Sequence, residues 1–187
     1  MTDPETHWSG KYLAIHQEGR WEYVSRVRGI GAAAILAIDR DPDNDSGSDL
    51  RGDHVILVEQ YRVPLKANCL ELPAGLIGDE TAGEPVIEAA GRELEEETGY
   101  RAGRIENLGH FCSSPGLTSE TFTLVRATEL DKIGAGGGTD DEDIVVHRIP
   151  LSGIADFVSA KRDEGCIVDV RILTLLGAGW LNGDPAG

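Results

Sequence analysis

Residues 78–99 read GDETAGEPVIEAAGRELEEETG, and the second half of this stretch is the most informative part of the chain. Residues 86–98 have helical period, with Pro85 suited to the first turn and Gly99 to the position just past the end. Ile87, Ala90 and Leu94 form a stripe that would face a core. At about 100° per residue, Glu93 and Glu97 lie about 40° apart, and Glu96 lies about 60° to the other side of Glu93. Three carboxylates therefore share one arc of the helix, while Glu95 points away. A solvated acidic face normally alternates signs at i,i+4, whereas here four glutamates share Arg92. They also stand at the C-terminal end, where the helix dipole disfavours negative charge. A cluster built against both effects predicts divalent cations as its usual occupants. Hard oxygen ligands without His or Cys favour Mg²⁺, with Mn²⁺ as the other option. Arg92, one turn before Glu96, is placed to brace that carboxylate by a two-pronged hydrogen bond.

Outside the helix, composition narrows the options. A length of 187 residues fits one domain. There are 17 Lys+Arg against 33 Asp+Glu, a formal charge of −16. Such a surface repels phosphate backbones and anionic lipids, which argues against general nucleic-acid or membrane-surface binding. An anionic substrate would need local help from metal ions or arginines. Residues 1–20 carry no secretory pattern, and the longest apolar run, residues 30–38, is too short to span a bilayer. Cys69, Cys112 and Cys166 are widely spaced and form no CxxC, so neither a zinc site nor a disulfide framework is expected. A reducing, cytoplasmic setting follows as the expectation.

No internal repeat is visible. Strands are expected over residues 18–27, 30–39, 55–60, 104–113, 121–127 and 144–149, with a short extended stretch around Pro73 over 70–77. Residues 40–53 look like a mobile hairpin loop, and 134–143 (GAGGGTDDED) like a flexible acidic one. Helices are expected over 151–164 and 169–181. Strands dominate the middle and helices come singly, so the order predicts an α/β protein with helices packed on a mixed sheet.

Eight residues then match a known pattern. Gly78, Glu84, Arg92, Glu93, Leu94, Glu96, Glu97 and Gly99 fall at the spacing GX5EX7REUXEEXGU, which resembles the signature of the Nudix hydrolases; only Tyr100 replaces the usual aliphatic residue. Two glycines compete for its first position. Gly78 fits the spacing, while Leu72-Pro73-Ala74-Gly75 resembles the run that supplies this glycine in relatives, which would imply a three-residue insertion. The resemblance implies an α/β/α sandwich around a mixed β-sheet. It also implies Mg²⁺-assisted hydrolysis of a nucleoside diphosphate linked to a variable group. Carried over by position, Glu93 and Glu97 are the main metal ligands, Glu96 a further one, the Ala74 carbonyl another, and Arg92 the brace.

The segment 109–120 (GHFCSSPGLTSE) resembles the loop of the ADP-ribose pyrophosphatases, in which a proline follows the signature glycine by sixteen residues, as Pro115 follows Gly99. An ordinary Ser-Pro-Gly turn is the plain alternative; Ser114, Gly116 and Glu120 favour the resemblance, with Glu120 near the substrate ribose or a partner subunit. Residues 136–144 (GGGTDDEDI) lack a Walker lysine and cannot be a P-loop. A similar loop in sugar-nucleotide relatives closes over the substrate, which implies Glu142 as a metal-side carboxylate and Asp140 where relatives often have a glutamate base. Trp21 and Tyr23 share one strand face ahead of Arg26 and Arg28, and related enzymes swap such strands between subunits to stack adenine; simple cross-strand packing is the alternative. Arg62, closing the run Glu59-Gln60-Tyr61-Arg62, is the expected phosphate contact. The reading is a single domain over 1–187 whose residues 1–29 form an antiparallel β extension engaged in a homodimer. It hydrolyses a nucleoside diphosphate sugar, with ADP-ribose the leading substrate and GDP-mannose the runner-up. A non-catalytic nucleotide sensor is the alternative from another class.

Overall fold

The computed structural model describes residues 3–27, 29–40, 53–78, 83–139 and 142–176. Three short strands open the chain, β1 (Glu5–Ser9), β2 (Leu13–Glu18) and β3 (Trp21–Arg26), and form an antiparallel sheet of their own. The expected N-terminal β extension is therefore present, with two strands more than the residue pattern indicates. Every residue of β1 is exposed, so no apolar period marks it.

The central sheet grows from β4 (Gly31–Asp39) and β5 (His54–Arg62). Both are apolar without alternation because both of their faces are covered. Ala34, Ile38, Val55 and Leu57 belong to one core cluster, which Ile154, Val158 and Ile172 complete. Ala33, Ile35, Ala37 and Ile56 belong to another, with Ala90 and Leu94. One sheet between two helical layers follows directly.

The extended stretch around Pro73 is two strands, β6 (Ala67–Glu71) and β7 (Ala74–Ile77). Leu72-Pro73 separates them because the sheet splits there: β4 pairs with β7 through its first half and with β5 through its second. Between those halves the Ile35 amide donates to the Pro73 carbonyl at 2.8 Å. Helix α1 (Val86–Thr98) packs beside this fork, and Gly99 closes it in the left-handed conformation, φ 69°. A long hairpin follows, β8 (Tyr100–Cys112) and β9 (Thr121–Lys132), with β9 parallel to β4. Strand β10 (Val145–Pro150) adds antiparallel to β5; α2 (Ile154–Asp163) covers the second face; β11 (Ile167–Val168) adds parallel to β6. The helix expected over 169–181 is, within the described residues, a 3₁₀ turn at Val170–Ile172 and a single turn of helix, α3 (Leu173–Leu176). Asp169 caps it by accepting the Arg171 amide. The loop expected at 40–53 falls mostly outside the described residues.

Candidate active site

The fork between β5 and β7 opens onto a cavity of about 630 Å³, a size typical of small-molecule sites. Helix α1 contributes Glu93 and Glu97, and β7 contributes Ala74, Gly75 and Leu76. The β5–β6 hairpin contributes Gln60, Arg62, Cys69 and Glu71, with Pro64 and Leu65 at its turn. Ala32 of β4, with Arg26, Glu120, Glu142, Asp169 and Arg171, completes the wall.

Glu97 is 6 % exposed, and its Oε2 accepts the Ala74 amide at 3.0 Å. Burial pushes this carboxyl up to about 8, aided by the negative charges of Glu93, Glu142 and Glu71 and opposed by the Ala74 amide. The wall is thus short of positive charge where the carboxylates meet. Gly75 decides which glycine stands against the helix. A Cβ there would overlap the Glu93 carboxyl, so no larger residue fits while Glu93 keeps its place. Gly78 lies outside the cavity wall.

Arg92 sits behind the carboxylates. Its Nη1 donates to Glu93 at 3.0 Å and to Glu96 at 3.3 Å, and its Nε and Nη2 reach Glu84 at 3.4 Å. It braces three acids of the motif, although Glu96 itself does not line the cavity. Glu142 arrives by a different route. The amides of Gly137 and Gly138 donate to the carbonyls of Glu97 and Glu96 at 2.8 and 3.1 Å, which satisfies the helix C-terminus. A side chain on Gly136 would collide with the Thr98 backbone. Lys132 adds a cation on the Thr98 carbonyl at 2.7 Å. The glycine loop, expected to be flexible, is therefore tied to α1 over residues 137–138, and that attachment carries Glu142 to the cavity, where its Oε2 accepts the Thr139 amide at 3.0 Å.

Arg62 lies opposite. Its Nε and Nη2 donate to the two oxygens of Glu71 at 2.6 and 2.7 Å, and this pairing raises the guanidinium pKa further. The Nη1 edge has no partner among the described residues. Arg26 and Glu120, chosen separately from the sequence, form an ion pair at the cavity. Strand β3 is positioned for this by its own chain: the Val24 amide donates to Leu117 at 2.9 Å and the Ser119 amide to Val24 at 3.0 Å. Burial pushes the Cys69 thiol up to about 12, which leaves it an uncharged part of the wall.

The cavity wall thus gathers Ala74, Glu93, Glu97, Glu142, Arg62, Arg26 and Glu120. Pro115 and Gly116 lie in the β8–β9 connection outside it. Trp21 and Tyr23 also lie outside it: Trp21 is 56 % exposed, and Tyr23 packs on His16 with ring centroids 5.4 Å apart. Arg28 and Asp140 fall outside the described residues. Gln60, Glu71, Asp169 and Arg171 line the cavity without having been singled out. Glu71, an acid inside the apolar run Cys69-Leu70-Glu71-Leu72, was the available signal.

Among the described residues, no three His, Cys, Asp or Glu side chains are gathered into a ready-made coordination sphere. Glu93, Glu97 and Glu142 are each turned toward a protein donor instead. The donor chemistry nonetheless fits a hard divalent cation. All the groups are oxygens, they face one cavity, and the most buried of them is pushed toward its neutral form by burial and by its acidic neighbours.

Comparison with known proteins agrees with this geometry. The NUDIX domain profile matches residues 42–162. The chain is 33 % identical over 164 residues to an ADP-ribose pyrophosphatase of Bacillus subtilis (strain 168), covering 84 % of this chain and 81 % of that protein. It is 34 % identical over 152 residues to a methanol dehydrogenase activator of Bacillus methanolicus, covering 80 % and 75 %. A crystal structure of an ADP compounds hydrolase shares the fold, with a TM-score of 0.60 and 23 % identity over 100 % of this chain and 98 % of that one. With the signature glutamates on α1, the glycine against Glu93 and these matches, the chain belongs to the Nudix hydrolase family.

Proposed function

We propose that this protein hydrolyses the pyrophosphate bond of a nucleoside diphosphate sugar, with ADP-ribose cleaved to AMP and ribose 5-phosphate as its best substrate and Mg²⁺ as cofactor. The observation that carries this reading is the cavity's division of charge: Glu93, Glu97 and Glu142 meet in it, and the guanidinium groups of Arg62 and Arg26 share it. Glu93, Glu97 and Glu142 would hold the metal, with Glu96 and the Ala74 carbonyl as further ligands. Bound there, Mg²⁺ (or Mn²⁺) supplies neutralisation of the diphosphate and a lowered pKa for an attacking water. Arg92 keeps Glu93 and Glu96 directed while they carry charge. The Nη1 edge of Arg62 takes a phosphate oxygen, and the Arg26–Glu120 pair lies on the ribose side. Glu142 and Asp140 are the two candidates to accept the water proton.

The reading is tested by a phosphate-release screen over ADP-ribose, GDP-mannose, ADP-glucose, NADH and diadenosine polyphosphates, with a phosphatase coupled in. ADP-ribose should give the highest kcat/KM. A GDP-mannose preference would move the assignment to the other branch, as a GDP-mannose pyrophosphatase of Pectobacterium atrosepticum, 35 % identical over 130 residues, illustrates for that protein. Tight nucleotide binding without turnover would instead mark a sensor.

The same proposal places the protein in the cytoplasm as a homodimer. The three cysteines are unpaired, which suits a reducing compartment. The N-terminal sheet leaves Trp8, Leu13, Ile15 and Trp21 exposed, a hazard that pairing with a second subunit removes. Pairing would also bring Trp21 and Tyr23 to the other subunit's cavity, where they stack on adenine. Trp21→Ala should then weaken ADP-ribose binding by about 1–2 kcal/mol, the worth of one aromatic stack on a base. Titration calorimetry and light scattering check this together; a monomer that binds equally well with Ala at 21 would remove the shared site.

A further inference from the structure

Glu71 is the least exposed acid of the cavity, 3 % accessible, and it lies between two guanidinium groups. Arg62 grips it through Nε and Nη2. Arg171 approaches the same carboxylate, with Nη2 at 3.8 Å from Oε2. The Nε and Nη2 of Arg171 meanwhile fall on the two oxygens of Asp169, each at 2.8 Å. Asp169 is itself fixed by accepting the Arg171 amide at 2.7 Å. The side chains thus run Asp169, Arg171, Glu71, Arg62, from the turn after β11 to the cavity wall.

A buried carboxylate with one bidentate guanidinium is already satisfied. A second guanidinium beside it sets two like charges near each other, an arrangement that hydrophobic packing would replace without loss if stability alone were at stake. What the second group adds is direction. Asp169 holds Arg171 on one side, the Phe122 ring lies 5.5 Å from its guanidinium carbon, and Glu71 therefore faces a fixed cation as well as Arg62. With Glu71 held, the Arg62 pair can take one orientation, and its Nη1 edge stays turned away from the carboxylate.

We infer that Arg171 and Asp169 position Arg62: they lock Glu71, and Glu71 presents the Nη1 edge of Arg62 to a phosphate of the substrate. This rests on the diphosphate-sugar reading above. Arg171 is a positioning residue, so its removal acts on substrate binding through Arg62 and not on the chemical step.

The test is a double-mutant cycle on the full chain, read both as KM and kcat for ADP-ribose with Mg²⁺ and as the affinity for ADP by calorimetry. Arg62→Ala should raise KM about tenfold or more, the scale of a lost hydrogen bond to a charged group. Arg171→Ala should raise it about three- to tenfold with kcat within about twofold, and Arg171→Lys should recover part of the loss. In the Arg62→Ala background, Arg171→Ala should change neither KM nor ADP affinity. Additive effects, or a fall in kcat with KM unchanged, would overturn the inference. If Arg171→Ala does not fold, Asp169→Asn, which keeps the cap acceptor, takes its place in the cycle with the same expected non-additivity. If the cycle holds for ADP affinity while the wild type hydrolyses nothing, the hydrolytic reading is refuted and the positioning role stands.

Discussion

Replacing Glu97 with Gln should lower kcat by about 10³-fold, the scale of losing one major electrostatic stabiliser, while the protein remains folded. Glutamine keeps an oxygen to accept the Ala74 amide, so the link between α1 and β7 survives. What disappears is the charge at the most buried point of the acidic wall. The same substitution reports on pH. The folded-state pKa of Glu97, about 8, lies above the ordinary 4.5 of the unfolded chain. Its contribution to stability is therefore fully present below about pH 4.5 and is lost as pH rises through 8. Without metal, Glu97→Gln should melt higher than the wild type at pH 8, with the difference shrinking toward pH 5. Saturating Mg²⁺ should raise the wild-type Tm at pH 8 and have little effect on the variant. Thermal melts across that range check the sign; an unchanged difference at all pH values would show that Glu97 does not carry the charge.

Gly75→Ala should produce the second large effect, a fall in kcat of about 10²-fold or more, because a side chain there displaces Glu93 and a shift near 1 Å in a reacting group costs about that much. The overlap is with the end of a flexible side chain, so the backbone need not move and the Tm should change little. Gly78→Ala provides the contrast. Gly78 has φ 81°, so alanine there should cost about 1–2 kcal/mol of stability through backbone strain, with kcat near that of the wild type. Circular-dichroism melts and Mg²⁺ titrations of activity separate the two. The reverse pattern would make Gly78 the functional start of the motif.

These positions show how unevenly the sequence discloses the fold. The bounds of helix α1 were legible to the residue from Pro85 and Gly99, and Ala90 and Leu94 of the expected stripe are buried, whereas Ile87 at the first turn is exposed. The doubly covered strands β4 and β5 were legible from their unbroken apolar runs. The split at Leu72-Pro73 was not, since nothing local tells that β4 changes partner midway along its length. Strands β1 and β2 escaped because their residues are mostly exposed and carry little apolar alternation. The C-terminal segment was expected to be helical from residue 169, yet Asp169 and Arg171 hold its start in a 3₁₀ turn.

The candidate site divides the same way. The carboxylates of α1 could be placed by helical angle alone, and the structure sets Glu93 and Glu97 in one cavity as that angle requires. Arg62 could be proposed from its place at a strand end. Glu71 stood out only as an acid in an apolar run, and Asp169 and Arg171 carried no signal, because their link to Glu71 joins segments about 100 residues apart and no spacing rule reaches that far. The glycine loop had the opposite fate. Its composition suggested freedom, whereas the absence of side chains is what lets its amides reach the carbonyls at the end of α1.

Metal-assisted cleavage of a phosphoanhydride is proposed at the wall formed by Glu93, Glu97 and Glu142. It is tested most directly by following ADP-ribose with ³¹P NMR in the presence of the wild type, with Mg²⁺ and then with excess chelator. AMP and ribose 5-phosphate should appear in equal amounts with Mg²⁺, and no products once the metal is removed. Undiminished turnover in chelator, or ADP-ribose that binds the Mg²⁺-saturated protein and stays intact, would contradict it.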